Sequence, residues 1–175
     1  MSIRAFKGMT PRIDPTAFID DSAVVIGDAQ IGAHSSVWPC AVIRADVQSI
    51  RIGSYTSVQD NATLHVTHSS DYTPGGNALQ IGDYVTIAHG AVIHGCTIGN
   101  EVLIGMQAAV LDRAVIEDGV MIGAGTIVGP GKHLKSGFLY VGSPVRALRE
   151  LSDEEKTYLR YVAENYVRLK EDHRA

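Results

Sequence analysis

The sequence predicts an all-β protein, built as a parallel β-helix of about six triangular coils and followed by one C-terminal α-helix. Aliphatic residues recur every six positions, glycine is abundant at 18 residues, and aromatic residues make up only 6% of the chain. A period of six fits neither an amphipathic helix nor an alternating strand. It is typical of the hexapeptide repeat, in which each short strand places one aliphatic side chain in a narrow interior.

The repeat runs from about residue 13 to about residue 140, in four blocks. Its aliphatic positions are Ile19, Val25, Ile31, Val37 and Ile43; Ile52, Val58 and Leu64; Ile81, Ile87 and Ile93; and Ile98, Ile104, Val110, Ile116, Ile122, Val128 and Leu134. Three hexapeptides form one coil, so these 18 positions give about six coils, stacked about 4.8 Å apart.

Three breaks in the six-residue step predict where the chain leaves this prism. The step lengthens to nine residues after Ile43 and to seventeen after Leu64, and it shortens to five after Ile93. We expect loops at the two longer steps and a tightened corner at the short one. The longer loop lies within residues 65–80, where serine, proline and glycine favour turns.

A helix is predicted over about residues 152–172, packed on the prism within a single domain of residues 1–175. Ser152 and Glu155 form a capping box, which marks a helix start. The apolar stripe comprises Leu159, Val162, Tyr166 and Leu169.

Charge and cysteine content exclude several classes of function. The net charge is -4 and no cluster of Lys or Arg occurs, so neither nucleic acid nor a membrane surface is expected as a partner. No apolar segment is long enough to span a membrane. Cys40 and Cys96 lack CxxC spacing, so we expect reduced, packed thiols and a cytoplasmic protein.

The repeat also places histidines. With three hexapeptides per coil, Leu64 and Ile93 lie one above the other. His65 and His94, which follow them, should therefore share a face, with backbones about 4.8 Å apart, and Arg44 occupies the same column. Two imidazoles at that separation can share one metal ion.

The same count places His89 above Asp60 on a neighbouring edge. A single prism need not bring His89 to His65, whereas a neighbouring subunit in a threefold ring would do so. Asp60 would then reach Arg44 of the partner subunit, and the metal contact and an ion pair would share one interface.

Three neutral histidines and a water form a catalytic zinc arrangement with one open position, and bound Zn²⁺ lowers the pKa of water to about 7. The alternative is that these histidines are separate surface or packed residues. The shared column favours the metal site. Taken alone, Arg44, Asp46, Gln59 and Asp60 would be interpreted as ordinary surface residues.

Three motifs resemble the γ-class carbonic anhydrase-like family, and the resemblance covers nearly the whole chain. They are VIRADV at 42–47, VQDNATLHV at 58–66 and IAHGAVIHGC at 87–96. The resemblance implies left-handed coils. It also implies a homotrimer with a metal at each subunit interface, held by two histidines of one chain and one of the next.

Carried over by motif, the resemblance implies a role for each residue and conversion of CO₂ to bicarbonate by a metal-bound hydroxide. The metal would be Zn²⁺ or Fe²⁺, since imidazole suits both. The implied roles are metal ligation by His65, His89 and His94, orientation of the hydroxide by Gln59, an intersubunit pair of Arg44 with Asp60, and interface support by Asp46.

The chain departs from the best-characterised enzyme of this class at two positions. That enzyme has glutamates where this chain has Val47 and His68, so the acidic proton shuttle is absent. His68 could replace it, since an unperturbed imidazole titrates near ~6.5; it could also be an idle loop residue or an extra ligand. The alternatives to a carbonic anhydrase are a weaker hydrolase using the same metal, a CoA-dependent acyltransferase or thioesterase, and a non-catalytic metal-binding trimer.

Overall fold

A triangular stack of short parallel strands forms the body of the protein in the computed structural model, which describes residues 2–174. The strands are β1 Ser2–Arg4, β2 Arg12–Ile13, β3 Phe18–Ile19, β4 Val24–Ile31, β5 Ser36–Val37, β6 Val42–Ile52, β7 Ser57–Val58, β8 Thr63–His65, β9 Leu79–Ile81, β10 Thr86–Ile87, β11 Val92–His94, β12 Thr97–Ile98, β13 Leu103–Ile104, β14 Ala109–Val110, β15 Val115–Ile116, β16 Met121–Ile122, β17 Ile127–Val128, β18 His133–Leu134, β19 Phe138–Val141 and β20 Arg146–Glu150. One helix follows, α1 Asp153–Arg174.

The solenoid is a left-handed β-helix with three faces. The histidine face consists of β1, the first halves of β4 and β6, then β8, β11, β14 and β17. The polar face consists of β2, the second halves of β4 and β6, then β9, β12, β15 and β18. The helix face consists of β3, β5, β7, β10, β13, β16 and β19, and β20 closes it by pairing antiparallel with β19.

The stack is taller than the repeat count predicts. Within residues 2–174, each face holds seven parallel strands, because strands outside the strict repeat add to both ends. Ile3 and Ile13 pair with β4 below the first predicted position. Tyr140 pairs with Ile122 above the last position of its column.

The interior consists of the predicted aliphatic columns. Ile43, Leu64 and Ile93 lie in register on successive strands, and none of the three is exposed. Because side chains alternate across a strand, the residues on either side of each buried position point outward. The residue two positions before each of these three, Ala41, Ala62 or Ala91, is also buried, so each of these hexapeptides provides one large and one small core side chain.

The nine-residue step after Ile43 does not form the predicted loop. β6 instead continues through all eleven residues of Val42–Ile52 and turns a corner of the prism as it does so. It can do this because β4, the strand beneath, is also extended and pairs with it on both sides of a register shift between Gly27 and Ala29. At Gly27, whose φ is +78°, an added Cβ would lie 2.1 Å from the carbonyl oxygen of Ala45.

The seventeen-residue step does form a loop, as predicted. Residues 66–78 leave the prism between β8 and β9. Thr67 and Asn77 pair across the base of this loop, and Ser70 and Thr73 pair near its tip.

Helix α1 begins with the predicted capping box. The Glu155 backbone N–H donates to Ser152 Oγ at 3.2 Å, and the Ser152 N–H donates to Glu155 Oε2 at 2.9 Å. The helix packs on β5, β7 and β10. Its buried residues include Leu159 and Ala163, whereas Leu169, predicted in the apolar stripe, is 37% exposed.

The helix runs back along the solenoid and is attached to it by ion pairs and hydrogen bonds at two places. Arg160 lies over the Tyr84 ring and forms an ion pair with Glu101 at 3.0 Å. At the second place, Lys170 Nζ donates to the Thr16 carbonyl at 3.1 Å, and Arg174 donates to the Ala17 carbonyl at 2.7 Å. These cations satisfy carbonyl groups at the first corners of the stack.

Both cysteines are free, and only one is packed as expected. Cys96 is buried, whereas Cys40 is exposed at a corner with a φ of +59°. Among residues 2–174, no helix is both long and apolar enough to cross a membrane. The single-domain organisation stays a prediction.

Candidate metal centre

The paired imidazoles of His65 and His94 form the centre of the candidate site. The two residues lie directly opposite each other on β8 and β11, so the predicted column is confirmed. His65 Nδ1 and His94 Nε2 lie 3.0 Å apart, and the ring planes are inclined by 60°. Both side chains are partly buried on the outer surface of the histidine face.

Each of these two rings is anchored by a carboxylate at its other nitrogen. His65 Nε2 donates to Asp46 Oδ1 at 3.0 Å, and His94 Nδ1 donates to Asp112 Oδ1 at 2.9 Å. An ionised carboxylate only accepts hydrogen bonds, so each contact places the ring proton on the nitrogen facing the acid. The nitrogens that face each other therefore carry lone pairs.

Two lone pairs at 3.0 Å repel unless a proton or a metal ion lies between them. Burial lowers the pKa of His65 although the hydrogen bond that His65 donates to Asp46 acts to raise it, so this ring resists a second proton. Two ligand nitrogens bound to one tetrahedral Zn²⁺ at about 2.0–2.1 Å would lie about 3.3 Å apart. The observed separation is close to that value, and the donor set fits a metal ion.

His89 is anchored in the same way but lies on a different edge. Its Nδ1 donates to Asp60 Oδ2 at 2.8 Å, and its side chain is 44% exposed. Across residues 2–174, no group of three or more His, Cys, Asp or Glu side chains is placed to hold a metal ion. The single chain therefore does not bring His89 to the pair formed by His65 and His94.

Arg44 and the acidic residues pair within the chain. Arg44 forms a short ion pair with Asp46. Burial alone would raise the pKa of Asp46, but the hydrogen bonds that Arg44 and His65 donate to it outweigh burial and leave its pKa lowered. Asp46 thus contacts a candidate ligand directly. The pair of Arg44 with Asp60 of the partner subunit stays a prediction.

Gln59 lies beneath helix α1, not on the outer surface of the site. Its side chain is 3% exposed and lies close enough to Tyr166 of the helix to influence the pKa of that residue. Its predicted role in orienting a hydroxide stays a prediction.

His68 lies on the exposed part of the 66–78 loop and lines a cleft beside the site. The cleft has a volume of about 490 Å³. Its lining comprises Lys7, Met9, Asp28, Asp46, Val47, Gln48, Ser49, His68 and Ser69. His68 and the anchor of His65 thus border the same cleft, and the proton-shuttle role of His68 stays a prediction.

Asp112 is the contact that the sequence analysis missed. Burial alone would raise its pKa, but hydrogen bonds from His94 and Thr67 outweigh burial and leave the pKa lowered. The sequence signal was weak: Val110 lies opposite Ile93, so the column count places Leu111 opposite His94. Asp112 is one residue farther on, in the turn that follows β14, so its contact with His94 depends on how the chain turns there.

Comparisons with known proteins agree with this fold and these motifs. Residues 95–131 match the family model described as bacterial transferase hexapeptide, six repeats. The chain is 52% identical to protein YrdA of Escherichia coli over 98% of this chain and 93% of that protein. It is 42% identical to mitochondrial γ carbonic anhydrase 2 of Arabidopsis thaliana over 94% of this chain, which spans 59% of the length of that relative.

Among solved structures, a hexapeptide transferase family protein from Anaplasma phagocytophilum superposes with a TM-score of 0.89 at 40% identity, covering 98% of this chain and 97% of that one. The chain therefore belongs to the hexapeptide-repeat family, in the group whose members include the γ carbonic anhydrases.

Proposed function

We propose that the protein is a metal-dependent carbonic anhydrase-like enzyme, with each site divided between two subunits of a homotrimer. The observation that supports this best is the pair of facing lone-pair nitrogens, His65 Nδ1 and His94 Nε2, at 3.0 Å. The identity to γ carbonic anhydrase 2 supports the choice of reaction. The third ligand in this proposal is His89 of the partner subunit.

The outer surface of the histidine face supports the trimer. Its central outward column is largely apolar and consists of Val24, Val42, Thr63, Val92, Ala109 and Ile127. The helix face is covered by α1, whereas no other element covers this column in the described chain. Uncovered apolar surface beside an incomplete ligand set favours a second copy of the chain as its partner.

Each residue of the site has a task that its contacts support. His65 and His94 bind the metal, and Asp46 and Asp112 fix their tautomers, which raises the basicity of the ligand nitrogens. When bound, Zn²⁺ or Fe²⁺ supplies a Lewis acid that activates water for attack on CO₂, giving bicarbonate and a proton. The exposed His68 then accepts that proton at the cleft.

The direct test is CO₂ hydration followed by stopped flow, with protein loaded anaerobically with Zn²⁺ or Fe²⁺. We expect one metal per chain and hydration that His65→Ala abolishes together with metal binding. Full activity in metal-free protein would contradict the proposal.

A mixing experiment tests the division of the site. His65→Ala and His89→Ala are each expected to be inactive, because each trimer lacks one ligand at all interfaces. Refolding equal amounts together should restore about one quarter of the sites, since adjacent subunits then supply the complementary histidines. The control mixes His65→Ala with His94→Ala, which removes ligands from the same side of the interface and should restore nothing.

A second candidate is a CoA-dependent acyltransferase or thioesterase. It is favoured by the similarity to the hexapeptide transferase family protein, and it needs no metal. Acetyl transfer from acetyl-CoA that persists with a chelator present would support it. A third candidate is a non-catalytic metal-binding trimer, for which metal would bind stoichiometrically without CO₂ hydration.

A further inference from the structure

We propose that Asp112 is a positioning residue that fastens the 66–78 loop to the metal centre, because a single carboxylate holds both His94 and the base of that loop. The inference rests on the proposed metal site and extends it to a residue outside the ligand set.

One oxygen atom of Asp112 contacts both the metal-site histidine and the loop. Asp112 Oδ1 accepts from His94 Nδ1 at 2.9 Å and from the Thr67 hydroxyl at 2.8 Å. The Asn77 side chain lies close enough to this carboxylate to contribute to its lowered pKa. Thr67 and Asn77 pair with each other through backbone bonds of 3.0 and 3.1 Å, so Asp112 contacts both strands of the loop base.

The space for this arrangement comes from Gly95. A Cβ at this position would lie 2.2 Å from Asp112 Oδ1 and 2.9 Å from the Asn77 Cβ. Gly95 also has a φ of +50°, a backbone conformation that residues with a side chain rarely adopt. The Arg113 N–H donates to the Gly95 carbonyl at 2.8 Å, which fixes Asp112 one coil above the histidine it contacts.

These contacts link the site to the loop in both directions. A carboxylate on Nδ1 fixes the His94 tautomer and makes Nε2 a better ligand. A filled ligand position in turn holds the His94 ring and its acceptor in place, which stabilises the bond to Thr67 and the position of Asn77. The loop that carries His68 should therefore be more protected when metal is bound.

The experiment measures zinc affinity by competition with a chromogenic chelator, and amide hydrogen exchange of residues 67–77 with and without zinc. The variants are Asp112→Ala, Asp112→Asn and Thr67→Val. The matched control is Asp118→Asn, which alters another corner carboxylate, one that accepts from the Asn100 backbone at 2.7 Å.

We expect Asp112→Ala to weaken zinc binding about 10- to 100-fold and to remove the protection of the loop by zinc, even at saturation. Asp112→Asn should lie between this variant and the wild type, because an amide oxygen still accepts from His94. Thr67→Val should keep most of the zinc affinity and lose the protection. Asp118→Asn should behave as the wild type.

Zinc affinity in Asp112→Ala equal to that of the wild type would overturn the inference, as would unchanged protection of its loop by zinc. If wild-type protein binds no zinc, the proposed function fails separately. Exchange without zinc then decides the inference: a faster loop in Asp112→Ala than in Asp118→Asn supports it, and equal rates overturn it.

Discussion

The histidine face and the polar face have equivalent interiors and different exteriors. Inward, Ile93 and Ile98 are both buried aliphatic residues on consecutive strands. Outward, the polar face presents Arg12, Gln30, Arg51, Gln80, Thr97, Val115 and His133, where the histidine face presents a mostly apolar column. The inward position of each hexapeptide therefore determines the fold, and the outward positions determine what each face contacts.

The largest expected effect comes from placing a charge on the outward apolar column. Val92 on the histidine face is 42% exposed and Val115 on the polar face is 39% exposed, so the two are matched in the single chain. If the proposed trimer forms through this column, Val92→Lys should convert it to monomers and abolish metal binding, because the substitution would bury an unpaired charge at the proposed interface. Val115→Lys is the control.

Light scattering checks this prediction: wild type and Val115→Lys should have masses near three times the chain mass of 18.7 kDa. If Val92→Lys remained a trimer and still bound metal, the histidine face would not be the interface, and the prediction that it differs from the polar face in this respect would be wrong.

Shortening an inward side chain should destabilise both faces equally. Ile93→Ala and Ile98→Ala should each lower the free energy of unfolding by about 2–5 kcal/mol, because each leaves a cavity in the same kind of stack. Urea denaturation measures both changes. A small effect at only one of these positions would mean that the two interiors are not equivalent.

The corner between these faces provides a smaller test. Gly27→Ala should cost about 1–3 kcal/mol, because its Cβ would meet the carbonyl of Ala45. Gly129→Ala is the control, since nothing lies within 4 Å of its added Cβ and its φ is not in the left-handed range. Thermal unfolding of the pair would show whether β4 can turn this corner with a side chain at position 27.

The smallest effect concerns the covered helix face. The hydrogen bond from Arg149 and the cap at Ser152 lower the pKa of Glu155 to about 2, from 4.5. A lowered pKa stabilises the folded state above pH 4.5, and this contribution is lost as the pH falls toward 2. The difference in unfolding free energy between wild type and Glu155→Gln should be constant above that range and shrink within it. A difference independent of pH would contradict this role.

Much of the fold follows from the sequence because a solenoid repeats one local rule. The six-residue step gave the interior columns, and counting three steps per coil placed His65 opposite His94. The same rule failed at Val42–Ile52, where three additional residues stayed in a continuous strand. That outcome depends on pairing with β4, the equally extended strand beneath it, and a local sequence pattern does not predict such a tertiary pairing.

Only those contacts of the candidate site that join residues stacked on successive coils could be predicted from the sequence. The stacking of His89 on Asp60 followed from counting, and the hydrogen bond between them confirms it. The contact of Asp46 with His65 did not follow, because it depends on which way two outward side chains turn. The burial of Gln59 beneath α1 likewise depends on where the helix packs, and the repeat contains no information on that.

Helix α1 also bears on how many coils the solenoid has. A stack of identical steps has no intrinsic end, yet α1 is attached through Arg160 at the corner before β13, the fifth strand of the helix face, and through Lys170 and Arg174 at the first corners. From Arg160 to Arg174 the helix rises about 21 Å at about 1.5 Å per residue, and the four steps from the first to the fifth strand of the helix face span about 19 Å at about 4.8 Å each. The helix thus matches the height of these five levels, and a coil added or removed between the two attachments would break one of them.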